Sequence, residues 1–479
     1  HKTRIFQTSM NPSVKKTNSS PIAISGVFPH LARKAGHFPE RTETGIGALM
    51  PWADRLWMIT YVAHKSRTGS GTGLFFIDDD LRIARHPASV VGTYANRMIH
   101  AESDQLVIGP HFIDTEGGVR TVPELVDVRL TATCRHLRDP ENKVHFLGME
   151  GEFFEVDVRD LSVRHLFDLT KELETSGQGD AHFKDAFCDH GRVVVCNNSY
   201  YNKDYRLGNG SRDGRLAEWD GTRWRILERT QFNTVGGRTA GELGRSIFAF
   251  GQDRASAILR QYEPESGLWK RWRLPKGTHT QDHAWTTEWP RLREVESERW
   301  LLDASGLFYE MPAMTYGGNI RGLKPVCSHL RIIGDFCSWN GLLVMAGDQT
   351  TPIHDSNPVV GQPQANLWFG KTDDLWAWGK PAGCGGPWFE ETVEAGVPSD
   401  PFLLHGFEHK GLHLQTADPA TTVHLEVDFL GNGSWSRCAR LQTNQSGYLH
   451  HAFPDGFSAH WARLLPESST TASAQFFFS

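Results

Sequence analysis

The chain has 479 residues and a formal net charge of −6, with both signs interspersed and no basic block, so the electrostatic footprint of a nucleic-acid binder is missing. No apolar run reaches the roughly 18 residues a membrane-spanning helix needs. The seven cysteines contain no C-x-x-C pair, which removes the usual zinc and redox motifs and leaves at least one thiol unpaired.

In chain order, residues 1–44 read as an N-terminal extension packing on the domain formed by the rest of the chain. The chain starts at His1 rather than Met, as it would after removal of a signal peptide or trimming, and the expected location is secreted or periplasmic. From Gly45 onward one unit recurs: an apolar strand, a turn built on Asp or Gly, then a second strand bearing Trp or Leu. Gly73–Asp78 leads to Leu81–Ile83, and Glu152–Asp157 to Leu161–Val163. Arg215–Gly221 leads to Trp224–Ile226, and Ile258–Tyr262 to Gly267–Trp269. Leu367–Gly370 leads to Leu375–Trp378, and Val423–Asp428 to Gly433–Trp435. Each pair reads as the two outer strands of a four-stranded unit, with the aromatic packed between sheets. Four-stranded units of roughly 40 to 60 residues mean a β-propeller. The expected fold is therefore all-β, a single-domain propeller over residues 45–479. The repeats alone suggest about eight units, some of them incomplete, and do not fix the blade number.

In a propeller the first strand of each unit lines a central channel. The residues at these strand starts are Arg97, His100, Arg135, His136, His182, Lys184, Arg238, His283, His329 and Arg331. A rim of cations and imidazoles suits an anionic ligand such as a uronic acid. A conventional glycosidase would need two facing carboxylates, and none stands out. Asp78-Asp79-Asp80 and Asp373-Asp374 read as solvated turns that would at most hold a structural calcium ion; no other cofactor and no catalytic metal are expected. Glu43, Glu102, Asp282 and Glu288 lie nearer the rim without forming a pair. The inventory fits β-elimination better than hydrolysis. A cation neutralises the uronate carboxylate, a His or Tyr removes the C5 proton, and a second group protonates the leaving oxygen.

Several stretches carry a resemblance: Ala48–Trp57, Gly92–His100, Leu367–Gly370 through Trp378–Pro381, Ser399–Phe402 and Gly456–Trp461. They resemble the seven-bladed propeller enzymes that cut L-rhamnose-α-1,4-D-glucuronate caps from arabinogalactan and gum arabic. The resemblance implies seven blades rather than eight, and a lyase with its site on one propeller face. A related branch consists of α-L-rhamnosidases, which hydrolyse the same linkage. It implies His100 as a catalytic residue. Where it implies a Tyr ahead of Gly148–Gly151, this chain carries His145. The catalytic candidates are then His100, His145 and Tyr201. The substrate-binding candidates are Arg97, Arg135, His182, Lys184, Arg238, His283 and Arg331. The expected partner is an acidic polysaccharide or oligosaccharide bound by a monomer, with neither nucleic acid nor membrane involved. A propeller that binds acidic glycans without cleaving them is the remaining reading.

Overall fold

The computed structural model describes residues 33–34, 44–62, 73–175, 181–199, 213–237, 245–277, 289–296, 299–312, 315, 317–329, 331–349 and 364–479. The fold is an all-β propeller. Among the described residues, six four-stranded antiparallel meanders follow in chain order between Thr44 and Ser328, the fifth running on into further strands, and a seventh four-stranded sheet combines residues 333–370 with Arg33–Lys34. Their first strands are Thr44–Trp52, Arg97–His100, Leu130–Arg135, Phe183–Asp189, Gln231–Gly237, Arg291–Glu296 and Ile333–Trp339. The repeat read in the sequence is the hairpin of strands three and four: Leu74–Ile77 pairs with Ile83–Arg85, Glu152–Asp157 with Val163–Asp168, Arg215–Trp219 with Trp224–Glu228, and Ala257–Glu263 with Leu268–Leu274. Alternating apolar positions bury one side of each strand against the next sheet.

Consecutive first strands pack side by side, and the seventh lies against the first. The contact is mostly made by side chains. One apolar cluster joins Ile46, Leu49 and Leu56 of the first sheet to Cys337, Val344 and Phe369 of the seventh, while others bridge successive sheets in turn. Such close approach requires small residues. A Cβ on Gly47 would lie 2.0 Å from the Tyr94 carbonyl oxygen, and one on Gly334 would lie 2.1 Å from that of Ile46. Most first strands also carry a register shift, as between Phe183 and Asp185 or Ile333 and Phe336. Near the shifts in the first and fifth sheets, carboxylates of other sheets collect a backbone N–H: Asp335 that of Leu49 and Asp185 that of Val235.

Two expectations need correction. Leu375–Trp378 is not the fourth strand of the seventh sheet: Thr372–Ala377 is a 3-10 helix, and Arg33–Lys34 pairs with Gln364–Gly370 instead. The N-terminal segment thus completes the last sheet. Val423–Asp428 is not part of a meander either. Residues 383–478 form two further antiparallel layers in crossed strand order, and Val423–Asp428 lies between Trp461–Pro466 and Ser436–Gln442. This segment packs on the fifth and sixth sheets through one continuous core that includes Trp272, Leu323, Phe402 and Trp461. Phe402 joins the fifth sheet beside Arg273, whose guanidinium binds Asp253 and Asp400 at 2.8 Å each.

Candidate functional site: the central channel

The first strands enclose a cavity of about 710 Å³, to which all seven contribute lining residues. Its charged lining comprises Arg97, Glu102, Arg135, Lys184, Asp185, Arg291, Arg293, Glu294 and Glu296. Most of this charge is already committed. Fully buried Asp335 accepts Arg97 Nε at 2.6 Å, Arg293 Nε at 2.7 Å and the Leu49 backbone N–H at 2.8 Å. Burial alone would raise its pKa; Arg293 and then Arg97 override that and hold the carboxyl well below the usual range. Arg97 also donates to the Phe336 carbonyl at 3.3 Å. Arg135, nearer the mouth, forms an ion pair with Glu102. Asp185 accepts Thr234 Oγ1 at 2.8 Å and the Val235 N–H at 3.0 Å.

Arg291 is different. It opens the sixth sheet, is only 2% exposed, and donates to two carbonyls, Gly334 O at 3.0 Å and Pro290 O at 2.9 Å. Among the described residues, no carboxylate hydrogen-bonds it. Burial, and next the neighbouring Arg293, push its pKa down to about 10. The guanidinium lies 5.1 Å from the centre of the Trp289 ring, and Lys184 Nζ lies 5.2 Å from that same ring. Trp289 is buried, stacks on Tyr61 at 5.0 Å, and leaves its own Nε1–H without an acceptor among the described residues. Two buried cations and an indole donor therefore gather along one wall of the channel, where Asp185 and Asp335 also act on Arg291 through space.

The fold sends the other expected residues in several directions. His100 does not reach the cavity. It is 1% exposed, and its ring nitrogens contact Ser103 Oγ and the Pro140 carbonyl, both at 2.7 Å, tying the second sheet to the third. His145 is fully buried in the second strand of the third sheet, its ring stacked between His136 and Phe153. Burial drives its pKa down to about 3, so it is a neutral packing residue. Neither imidazole can touch a ligand in the channel as built. His182 lies at the entry to the fourth sheet, its backbone N–H donating to Ser199 Oγ at 2.9 Å, and does not line the cavity. Arg331 stacks on Trp378 at 4.9 Å, away from the channel, and His329 shares a hydrogen bond with Asp303 at 2.7 Å. Arg97, Arg135 and Lys184 do line the cavity. Tyr201, Arg238 and His283 lie outside the described residues, as do Glu43, Asp282 and Glu288. Of the acidic turns, Asp78 spends its carboxylate on the backbone of Asp80 and Arg82, and among the described residues no three His, Cys, Asp or Glu side chains converge on a metal position.

Sequence reasoning passed over Arg291 and Arg293. The signal was Arg291-Leu292-Arg293-Glu294-Val295-Glu296, a strand with four charges in six positions where a buried sheet should be apolar.

No protein-family model and no curated protein matches the chain. Among solved structures it is similar to the β-propeller domain of Cps50 (Swd1) from Myceliophteria thermophila, at 12% identity and a TM-score of 0.38, covering 70% of this chain and 98% of that one. It is also similar to the WD40 repeats of RRP9, at 10% identity and a TM-score of 0.41, over 72% of this chain and all of that one. A luciferin-regenerating enzyme matches at 7% identity and a TM-score of 0.36, over 71% and 96%. Likeness at this level says nothing about what the chain binds.

Proposed function

We propose that this protein is a seven-bladed β-propeller that takes the carboxylate of an acidic sugar into its central channel. The observation that supports this is the buried Arg291 guanidinium, hydrogen-bonded among the described residues only to carbonyls, on the channel wall beside Trp289 and Lys184. A uronate would give it a planar, bidentate partner. The sugar ring would lie against the apolar parts of the lining, such as Met98, Ile99 and Val235. Together with the resemblance in the sequence, this favours a terminal rhamnose–glucuronate unit as the ligand, handled by a monomer outside the cytoplasm.

On this reading, cleavage by β-elimination would use Arg291 to neutralise the uronate and stabilise the enolate-like intermediate. The acid–base groups on this reading are other than His100 and His145, which are buried and not among the residues lining the channel. The decisive experiment incubates the protein with gum arabic and with a rhamnose–glucuronate disaccharide. Released rhamnose together with new ultraviolet absorbance of a conjugated uronate supports the lyase. Rhamnose without that absorbance supports the α-L-rhamnosidase. Saturable binding without release supports a glycan-binding propeller. In each case Arg291→Met should abolish the effect, and an Arg291→Met variant that behaves as wild type removes the channel from the proposal.

A further inference from the structure

The channel does not end at its mouth. Arg135 and Cys188 line both the channel and a second cavity of about 170 Å³, which also touches His136, His190 and Arg245. His136 in turn borders a third hollow of about 400 Å³, lined by Arg138, Glu155, Arg164, His165 and Trp219 among others. Neighbouring depressions share lining residues, Arg135 and Cys188 for the first two and His136 for the second and third, so the three follow one another in a row. This groove of successive hollows runs outward from the channel between the third and fourth sheets, over the turns at 135–143 and 219–224.

The groove wall is cationic but not uniformly so. Four guanidiniums, Arg135, Arg138, Arg164 and Arg245, face two carboxylates, Glu155 and Asp189. Asp189 accepts Arg245 at 3.3 Å. Glu155 accepts His136 at 2.7 Å, Lys143 at 2.8 Å and Arg164 at 3.2 Å. Arg138 is exposed and donates to a carbonyl, Gly221 O, at 2.7 Å. The Arg164 side chain is 68% exposed, leaving most of its donors open to solvent. The His136 ring is fixed rather than reactive: its Nδ1 accepts the Arg138 and Asp139 backbone N–H groups.

We propose that this groove holds the acidic polysaccharide chain extending from the unit whose carboxylate sits in the channel, an inference that rests on the channel reading above. The mixture of charges favours a glycan over a nucleic acid. A phosphodiester chain carries a negative charge at every unit and would meet repulsion at Glu155 and Asp189. A uronate-bearing glycan carries charge at only some sugars and offers hydroxyls at the rest. Its carboxylates would pair with Arg138 and Arg164, and its hydroxyls would donate to the two acids. The protein would then read both the end of a chain and several residues behind it.

The test is calorimetric titration with acidic oligosaccharides ending in rhamnose–glucuronate, from disaccharide to hexasaccharide, for wild type, Arg138→Ala/Arg164→Ala and Arg291→Met. Both groove residues are exposed, so the double variant should keep the wild-type melting temperature. The expected result is that wild-type affinity rises at least about tenfold with length. The double variant should lose most of that gain while binding the disaccharide as wild type does. Disaccharide binding with no gain from length, or a gain the double variant retains, overturns the groove and leaves the channel standing. No disaccharide binding by wild type, with long chains still bound through Arg138 and Arg164, sinks the channel reading and keeps the groove. Tighter binding of a single-stranded RNA oligonucleotide than of any glycan, lost in the double variant, overturns the glycan assignment.

Discussion

Asp335 offers the sharpest test of how the ring is held together. Its carboxylate is fully buried and serves two guanidiniums, from the second and sixth sheets, and one backbone N–H, from the first, while itself belonging to the seventh. Asp335→Ala would leave Arg97 and Arg293 as uncompensated buried cations, which costs about 3–5 kcal/mol for a broken buried pair. The orphaned Leu49 N–H adds about 1–3 kcal/mol. Against a typical native stability of about 5–15 kcal/mol, that is enough to unfold much of the population. An exposed pair provides the contrast: Glu408→Ala, which removes the partner of the largely exposed Lys380, should cost under about 1 kcal/mol. Urea denaturation followed by near-ultraviolet circular dichroism measures both. The triple variant Asp335→Ala/Arg97→Met/Arg293→Met should recover part of the loss, because the penalty lies in the stranded charges. A cost below about 1 kcal/mol for Asp335→Ala, or no recovery in the triple variant, would refute the reasoning.

Acid should destabilise the protein well above the carboxylate range. Burial holds His111 and His145 down to about 3 and His460 to about 4, so these rings are neutral when folded. The unfolded chain protonates them near pH 6.5, so the stability they contribute is fully present above that value and is lost as pH falls from there toward about 3. The urea midpoint should decline across that window, and His145→Phe should flatten the decline; an unchanged slope in that variant would contradict the assignment. Thiol chemistry should be equally selective. Cys438 is the exposed cysteine, whereas Cys134, Cys196, Cys327 and Cys337 are buried. Burial raises the pKa of Cys134 and Cys196 well above the ordinary value and that of Cys188 and Cys337 to about 12. Ellman's reagent should therefore label one thiol rapidly in the native protein, and Cys438→Ser should remove that phase; a fast phase surviving the substitution would place a reactive thiol elsewhere.

The blades were legible because a hairpin is a local event. Glu152–Asp157 and Val163–Asp168 announce themselves by alternation and by the tight turn between them, and no distant contact is needed to see it. Two other features depend on contacts far along the chain. Arg33–Lys34 finds its partner more than three hundred residues away, and Val423–Asp428 looks like a blade hairpin until its other edge pairs with Trp461–Pro466. The site was legible in residue type and not in direction. His100 stands three positions after Arg97 on one strand, so the two side chains leave opposite faces; Arg97 reaches the channel and His100 enters the seam with the third sheet. His145 lies on a second strand, one layer removed from the channel.

Partners decide what a channel cation can do, and that separates Arg97 from Arg291. Both line the cavity, yet Arg97 completes an ion pair with Asp335 whereas Arg291, among the described residues, meets only carbonyl oxygens. A ligand carboxylate near Arg97 would compete with a buried acid at 2.6 Å; near Arg291 it would compete with neutral dipoles. A guanidinium binds a carboxylate more strongly than a neutral carbonyl in a dry site, so the exchange is more favourable at Arg291 than at Arg97. Arg97→Met should therefore cost the larger share of folding stability, by stranding part of the Asp335 charge, and Arg291→Met the larger share of uronate affinity. Denaturation and glucuronate titration on the same two variants check the crossing. If Arg97→Met weakens glucuronate binding more than Arg291→Met does, the channel's uronate-binding cation has been assigned to the wrong residue.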